Sequence, residues 1–197
     1  MKFSEKDFEI LTEEWDEGAE KILENLEQLK EKPFVKVGIL ESAGNHKKKG
    51  KKGARKKADS EGESETLTVA DIATMHEYGA VTHRGNVSWD IPERSFMRAS
   101  MTEKESDLEE KTVKIFDKII DGDLSVKDGL NVLGMEISKN FKNKIDSNIP
   151  PPLADSTIRA KTRDGKTGEV ALVDTGQMRN AISHEVEMEG GEEHGEE

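Results

Sequence analysis

Apolar residues fall into separate periodic stretches along this chain, and the period changes from one stretch to the next. Phe8, Leu11, Trp15, Ile22, Leu26 and Leu29 recur at three-, four- and seven-residue intervals, the spacing of one stripe on a long amphipathic helix. Ser4 is suited to cap that helix, Asp7 falls in a first turn whose dipole favours negative charge, and Pro33 stops it. From Phe34 to Leu40 the period drops to two, with Val35, Val37 and Ile39 on one side of a predicted strand. Thr68 and Asp71 make a start like a capping box, with Asp where Glu or Gln is usual, for a short helix ending at Gly79. Val87, Trp89 and Ile91 alternate before Pro92 and predict a short edge strand.

Two longer helices follow. The first begins at about Arg94 or at Thr102, where Glu105 completes a capping box, and its predicted buried stripe is Leu108, Ile115, Phe116 and Ile119. Asp121 and Gly122 break it, and Ser125 caps the next helix, in which Val126, Leu130, Leu133, Ile137, Phe141 and Ile145 share a face until Pro150. These two helices are natural hairpin partners. A short helix around Ser156 to Lys161, a single turn capped by Asp174, and a strand through Ile182, His184, Val186 and Met188 complete the pattern. The strands are few and scattered between helices of unequal length. That arrangement predicts an α+β fold, with a small, mainly antiparallel sheet packed against two or three long helices, and not the regular alternation of a doubly wound sheet.

Composition sets the scale of the core. Apolar residues make up 32% of the chain and charged residues 37%, against roughly 45–50% and about 25% in average globular chains. A small core of this kind gains stability by burial against neighbours, which favours an oligomer. At 197 residues the chain fits one domain, predicted here over residues 1–189. A flexible basic insertion is expected at 41–66, where Gly, Ser and Lys dominate, and an acidic disordered tail at 190–197. The absence of cysteine rules out disulfides, thiolate catalysis and Cys-based zinc sites. A charged beginning and the lack of any run of about 18 apolar residues predict a soluble, unexported chain with no membrane contact.

The net charge of −12 conceals an asymmetry. Lys47, Lys48, Lys49, Lys51, Lys52, Arg55, Lys56 and Lys57 crowd into one stretch without an acid, while the last thirteen residues carry seven Glu and no Lys or Arg. Eight cations on a flexible segment suit contact with phosphates that weakens as salt rises, and the lack of an aromatic in the stretch makes such contact blind to sequence. They equally suit an acidic protein surface, such as a neighbour's acidic tail, or plain solvation. Charge alone leaves these three open.

Catalytic motifs are missing. His76, Glu77 and His83 lack the spacing that places two imidazoles on one helical face, no GxSxG elbow occurs, and the glycines near Lys49 do not form a phosphate-binding loop. Glu13, Glu14, Glu109 and Glu110 fall on polar helix faces, where solvation accounts for them. No catalytic residue, metal ligand or cofactor is assigned, and the chain is predicted not to be an enzyme.

Four stretches, in this order, resemble the family of tailed-bacteriophage head–tail joining and tail-completion proteins that includes minor tail protein Z of lambda-like phages. They are VKVGIL (Val35 to Leu40), VADIATMHEYGA (Val69 to Ala80), IPERSFMRASM (Ile91 to Met101), and PPLADSTIRAK (Pro151 to Lys161) paired with LVDTGQMRNAISHEV (Leu172 to Val186). Their order and spacing carry the resemblance more than any one of them. It implies a sheet with flanking helices and a structural role, as a homo-oligomeric ring in the neck or at the head-proximal tail end. The implied partners are the portal or connector, tail-tube or tail-terminator proteins, and genomic DNA contacted without sequence preference. The implied place is the virion, reached through the host cytoplasm during assembly. The long lysine-rich stretch and the acidic end depart from the family pattern. The stretch also supports an alternative reading, a nucleic-acid-binding accessory protein.

Within the resembling segments, Tyr78, Arg94, Phe96 and Arg98 put aromatics and arginines on one connection, the residue types enriched at protein interfaces. The competing expectation is that Tyr78 and Phe96 fill the chain's own core and that the arginines are solvated surface charge.

Overall fold

A computed structural model of the chain describes residues 5–40, 67–84, 87–163, 170–173 and 175–189. The predicted insertion at 41–66, the tail at 190–197 and the cap candidates Ser4 and Asp174 lie outside them. The elements run α1 (Glu5–Lys30), β1 (Phe34–Ile39), α2 (Val69–Tyr78), β2 (Ala80–Arg84), β3 (Val87–Ile91), α3 (Met97–Ile120), α4 (Val126–Asp146), α5 (Asp155–Arg163), α6 (Gln177–Ala181) and β4 (Ile182–Glu187). This is the expected α+β class, but the strands form two separate two-stranded sheets, β1 with β4 and β2 with β3, where a single small sheet was expected. The residues group into two compact units, each interleaved along the sequence.

The first unit comprises Met1–Val37, Thr102–Lys139 and His184–Glu197. Here α1 turns Ile22, Asn25 and Leu29 inward, and Leu26 of the predicted stripe remains exposed. Asn25 is buried because its amide donates to the carbonyls of Ile119, at 2.7 Å, and Leu124, at 3.0 Å. Those oxygens lie at the end of α3 and in the turn after it, where helical carbonyls run out of partners. Gly122 takes a left-handed φ of 78° in this turn, and a Cβ there would meet Ile22 and Lys21 of α1.

Two glycines thin α4 on different sides. A Cβ on Gly129 would stand 2.6 Å from Ile119 and 2.9 Å from Ile115, so α3 packs closely at that point. One on Gly134 would stand 2.6 Å from the His184 ring and 2.8 Å from Val35, so the β1–β4 ribbon does the same. Lys111 and Glu136 join α3 to α4 at the surface.

Phe116 corrects the predicted stripe of α3. Leu108 and Ile119 are buried, whereas Phe116 is 39% exposed beside Val113 and Ile120. Helix α3 carries two apolar lines about 100° apart, and α4 covers only one of them.

The second unit comprises Gly38–Met101 and Asn140–Ser183. Thr68 caps α2 through the backbone of Asp71, and the Asp71 carboxylate answers with the Thr68 amide at 2.8 Å, completing the capping box. The core gathers Val69 and Ala73 of α2 with Phe96, Phe141, Ile145, Ile149, Leu172, Met178 and Ile182. Helix α2 packs on α6, and Arg179 of α6 grips both oxygens of Asp146 at the end of α4 at 2.8–3.0 Å.

Candidate functional site

Between α2 and α3 the chain leaves the core of the second unit, makes the β2–β3 hairpin, and returns. Gly79 starts the excursion at φ 75°, where a Cβ would lie 3.2 Å from both the Ile91 carbonyl oxygen and the Glu93 nitrogen, so the outgoing and returning strands nearly touch. The Arg94 amide donates to the His76 carbonyl at 2.7 Å and closes the gap.

Glu77 fixes the return. Its side chain is buried and accepts from the backbone nitrogens of Phe96 (2.8 Å), Met97 (3.1 Å) and Arg98 (3.0 Å) and from the Ser95 hydroxyl (2.7 Å). A carboxylate from the end of α2 thus caps the start of α3, satisfying orphan N–H groups at the positive end of the helix dipole. Burial pushes the Glu77 carboxyl up, but the backbone donors of residues 96–98 and the Ser95 hydroxyl outweigh it and hold the group below the usual carboxylate range.

The Arg98 side chain backs this cap, its Nε donating to the Glu77 carboxylate at 3.3 Å. It reaches the Glu77 carbonyl at 2.8 Å and Glu93 at 2.7 Å, and its guanidinium carbon sits 4.5 Å from the centroid of the Tyr78 ring. Tyr78 is held in place and still 63% exposed.

The structure therefore brings Tyr78, Arg94, Phe96 and Arg98 together at one root and sorts them. Phe96 is 0% exposed and fills the core. Arg94 is also buried, with Nε and Nη2 donating to the Pro151 carbonyl at 3.1 and 2.7 Å, and burial lowers its pKa. Both are buried within the chain, as the competing expectation had it for Phe96: the link into α3 needs anchors on its inner side. Tyr78 and Arg98 remain as surface.

The arm that leaves this root is poorly covered. Register pairs Ala80 with Ile91, Val81 with Asp90, Thr82 with Trp89 and His83 with Ser88, so Val81, His83, Ser88 and Asp90 share one face, all exposed. The opposite face is partly covered at Ala80, Thr82 and Ile91, and Trp89 on it is 49% exposed. Neither outer edge pairs with another strand among the described residues. A two-stranded hairpin in water is marginal alone, and open edges are templates for pairing.

A cavity of about 240 Å³ borders α2 in the same unit, lined by Val69, Ile72 and His76 with Leu153, Thr157 and Lys161, among others. Burial, and then the nearby charges of Arg94 and Lys161, lower the His76 pKa. Neither His76 nor the cavity stood out in the sequence as more than a fragment of a metal motif.

Among the described residues no group of three His, Asp or Glu is placed to hold a metal ion, and no helix is long and apolar enough to cross a membrane. The eight basic residues from Lys47 to Lys57 lie outside the described residues. No family model, curated protein or solved structure matches the chain.

Proposed function

We propose that this chain is a non-enzymatic structural subunit of a tailed bacteriophage that forms a ring at the head–tail interface or the head-proximal tail end, completing the tail and joining it to the head. The observation that carries an assembly role is the β2–β3 arm, fixed at its root by a buried carboxylate cap and open over much of its surface. Surface of that kind is stabilised by contact with another protein and offers nothing to a small substrate. The order of the four resembling stretches supports the neck in particular. Its partners would be identical copies, the portal or connector, and tail-tube or tail-terminator proteins.

Native mass measurement of the purified protein, alone and with tail tubes, tests this reading. A ring, or a monomer that becomes a ring on the tube, is expected, and a monomer that never joins tails overturns it. Particles assembled without the protein should accumulate as separate heads and tails.

The cluster from Lys47 to Lys57 favours a second reading, a nucleic-acid-binding accessory protein. On that reading, deleting the cluster abolishes function and spares assembly.

A further inference from the structure

Three side-chain atoms, His76 Nδ1, Ser138 Oγ and Gln177 Oε1, are buried without a hydrogen-bond partner among the described residues. Two of them, on His76 and Gln177, belong to the wall of one cavity, the one beside α2 in the second unit. Buried polar atoms in folded proteins are almost always paired, because a bare one has given up its bond to water for nothing. A pair of bare atoms in one wall marks a place where a partner belongs.

The local folding explains the wall. Val69, Ile72 and His76 recur at three and four residues along α2, so they share the face that borders the cavity. Gln177 opens α6 behind Gly176, whose left-handed φ of 75° turns the chain into that helix. Leu172 and Met178 are buried beside it and line the same space. The nearby cations are already committed. Lys161 donates to the Val170 and Val173 carbonyls at 3.0 and 2.9 Å, and Arg94 to the Pro151 carbonyl.

This chemistry selects the guest. The cavity measures about 240 Å³, below the roughly 300–1,000 Å³ of pockets that take drug-sized ligands. A cavity of about 150 Å³ already holds benzene, so one ring or two fused rings fit here. An anion would meet the lone pairs of the Gln177 amide oxygen. A cation would meet the positive charges of Arg94 and Lys161 that act on His76. A neutral donor suits the amide oxygen, which can only accept.

We propose that this cavity binds a small, neutral, planar ligand carrying an N–H or O–H donor. Its rings lie against Val69, Ile72, Leu172 and Met178, and its donor bonds to Gln177 Oε1, while a second polar group or a bound water serves His76 Nδ1. The site is complete within one copy of the chain and does not rest on the ring reading.

The test titrates the full chain with indole and with N-methylindole, which keeps the rings and lacks the donor, and follows backbone amide signals by NMR. Indole should shift the signals of α2 and α6 with a Kd of about 1 mM or tighter. N-methylindole should bind about tenfold more weakly. Gln177→Leu should weaken indole by about tenfold and bring the two probes level, with circular dichroism confirming that the variant is folded. If that variant does not fold, the comparison of the two probes on the wild type decides alone. No shift in α2 or α6 at about 10 mM indole means that water alone fills the cavity, and the proposal is overturned. Equal binding of the two probes to the wild type, or a preference for indole that survives Gln177→Leu, overturns it as well.

Discussion

The two ribbons of this protein, one of six-residue and one of five-residue strands, have opposite surroundings. In β1–β4, Val35 and His184 press so closely on α4 that only a glycine fits at position 134. In β2–β3 one whole face is exposed and Trp89 stands half out on the other. The first ribbon is held through its face, the second firmly at its root. Secondary structure alone therefore says little about what a strand contributes: one ribbon is part of a core, and the other is largely surface.

Substitutions can sharpen that contrast. Gly134→Val should have the largest effect on the folded monomer, about 3 kcal/mol of lost stability in chemical denaturation, because the new side chain must displace both His184 and Val35. A variant as stable as the wild type would mean that the β1–β4 ribbon is loosely held after all.

Glu77→Ala strikes the root of the other ribbon and should cost about 2 kcal/mol, since buried N–H groups at the start of α3 lose their charged acceptor. The same carboxylate links stability to pH. Its folded-state pKa is depressed, so its contribution is complete above the unfolded value, near pH 4.3. It fades as pH falls through the folded value. The stability gap between wild type and Glu77→Gln should therefore be constant from pH 7 to about 5 and narrow below about pH 4. A gap that widens in acid would contradict the assignment.

Asn25→Ala should cost about 1.5 kcal/mol through two lost hydrogen bonds. It should do so without disturbing either ribbon, which chemical shifts of the strands would report.

The smallest effect belongs to the arm. Val81→Ser should change monomer stability by less than about 0.5 kcal/mol, because the Val81 side chain is mostly exposed. Any larger effect of that substitution should fall on self-association, read by sedimentation.

The arm also marks where the sequence stops being legible. The helices α2 and α4 were readable because one face of each is buried, and burial is what hydrophobic periodicity records. The caps at Thr68 and Ser125 were readable because they act locally, and both side chains accept the expected amides. Strand β2 was not readable: Val81 is exposed, so Ala80–Arg84 has no buried side to mark by alternation. Phe116 was misread for a related cause, since α3 carries apolar residues on two faces and the spacing cannot say which face α4 takes. Of the root, the sequence offered Tyr78, Arg94, Phe96 and Arg98 as one cluster but not Glu77 as its centre. A glutamate that caps a helix eighteen or more residues downstream leaves no local pattern. Asn25 escaped notice for the same reason, its partners lying 94 and 99 residues away.

Those distant partners have a consequence for how the molecule breathes. One amide group supplies protons to two carbonyls on either side of a tight bend, so the bend cannot open to solvent while α1 remains seated, and α1 cannot lift without exposing the bend. The middle of α1 and the residues around Gly122 should therefore exchange their amide hydrogens with deuterium in a single cooperative event, at one shared rate, although nearly a hundred positions separate them in the chain.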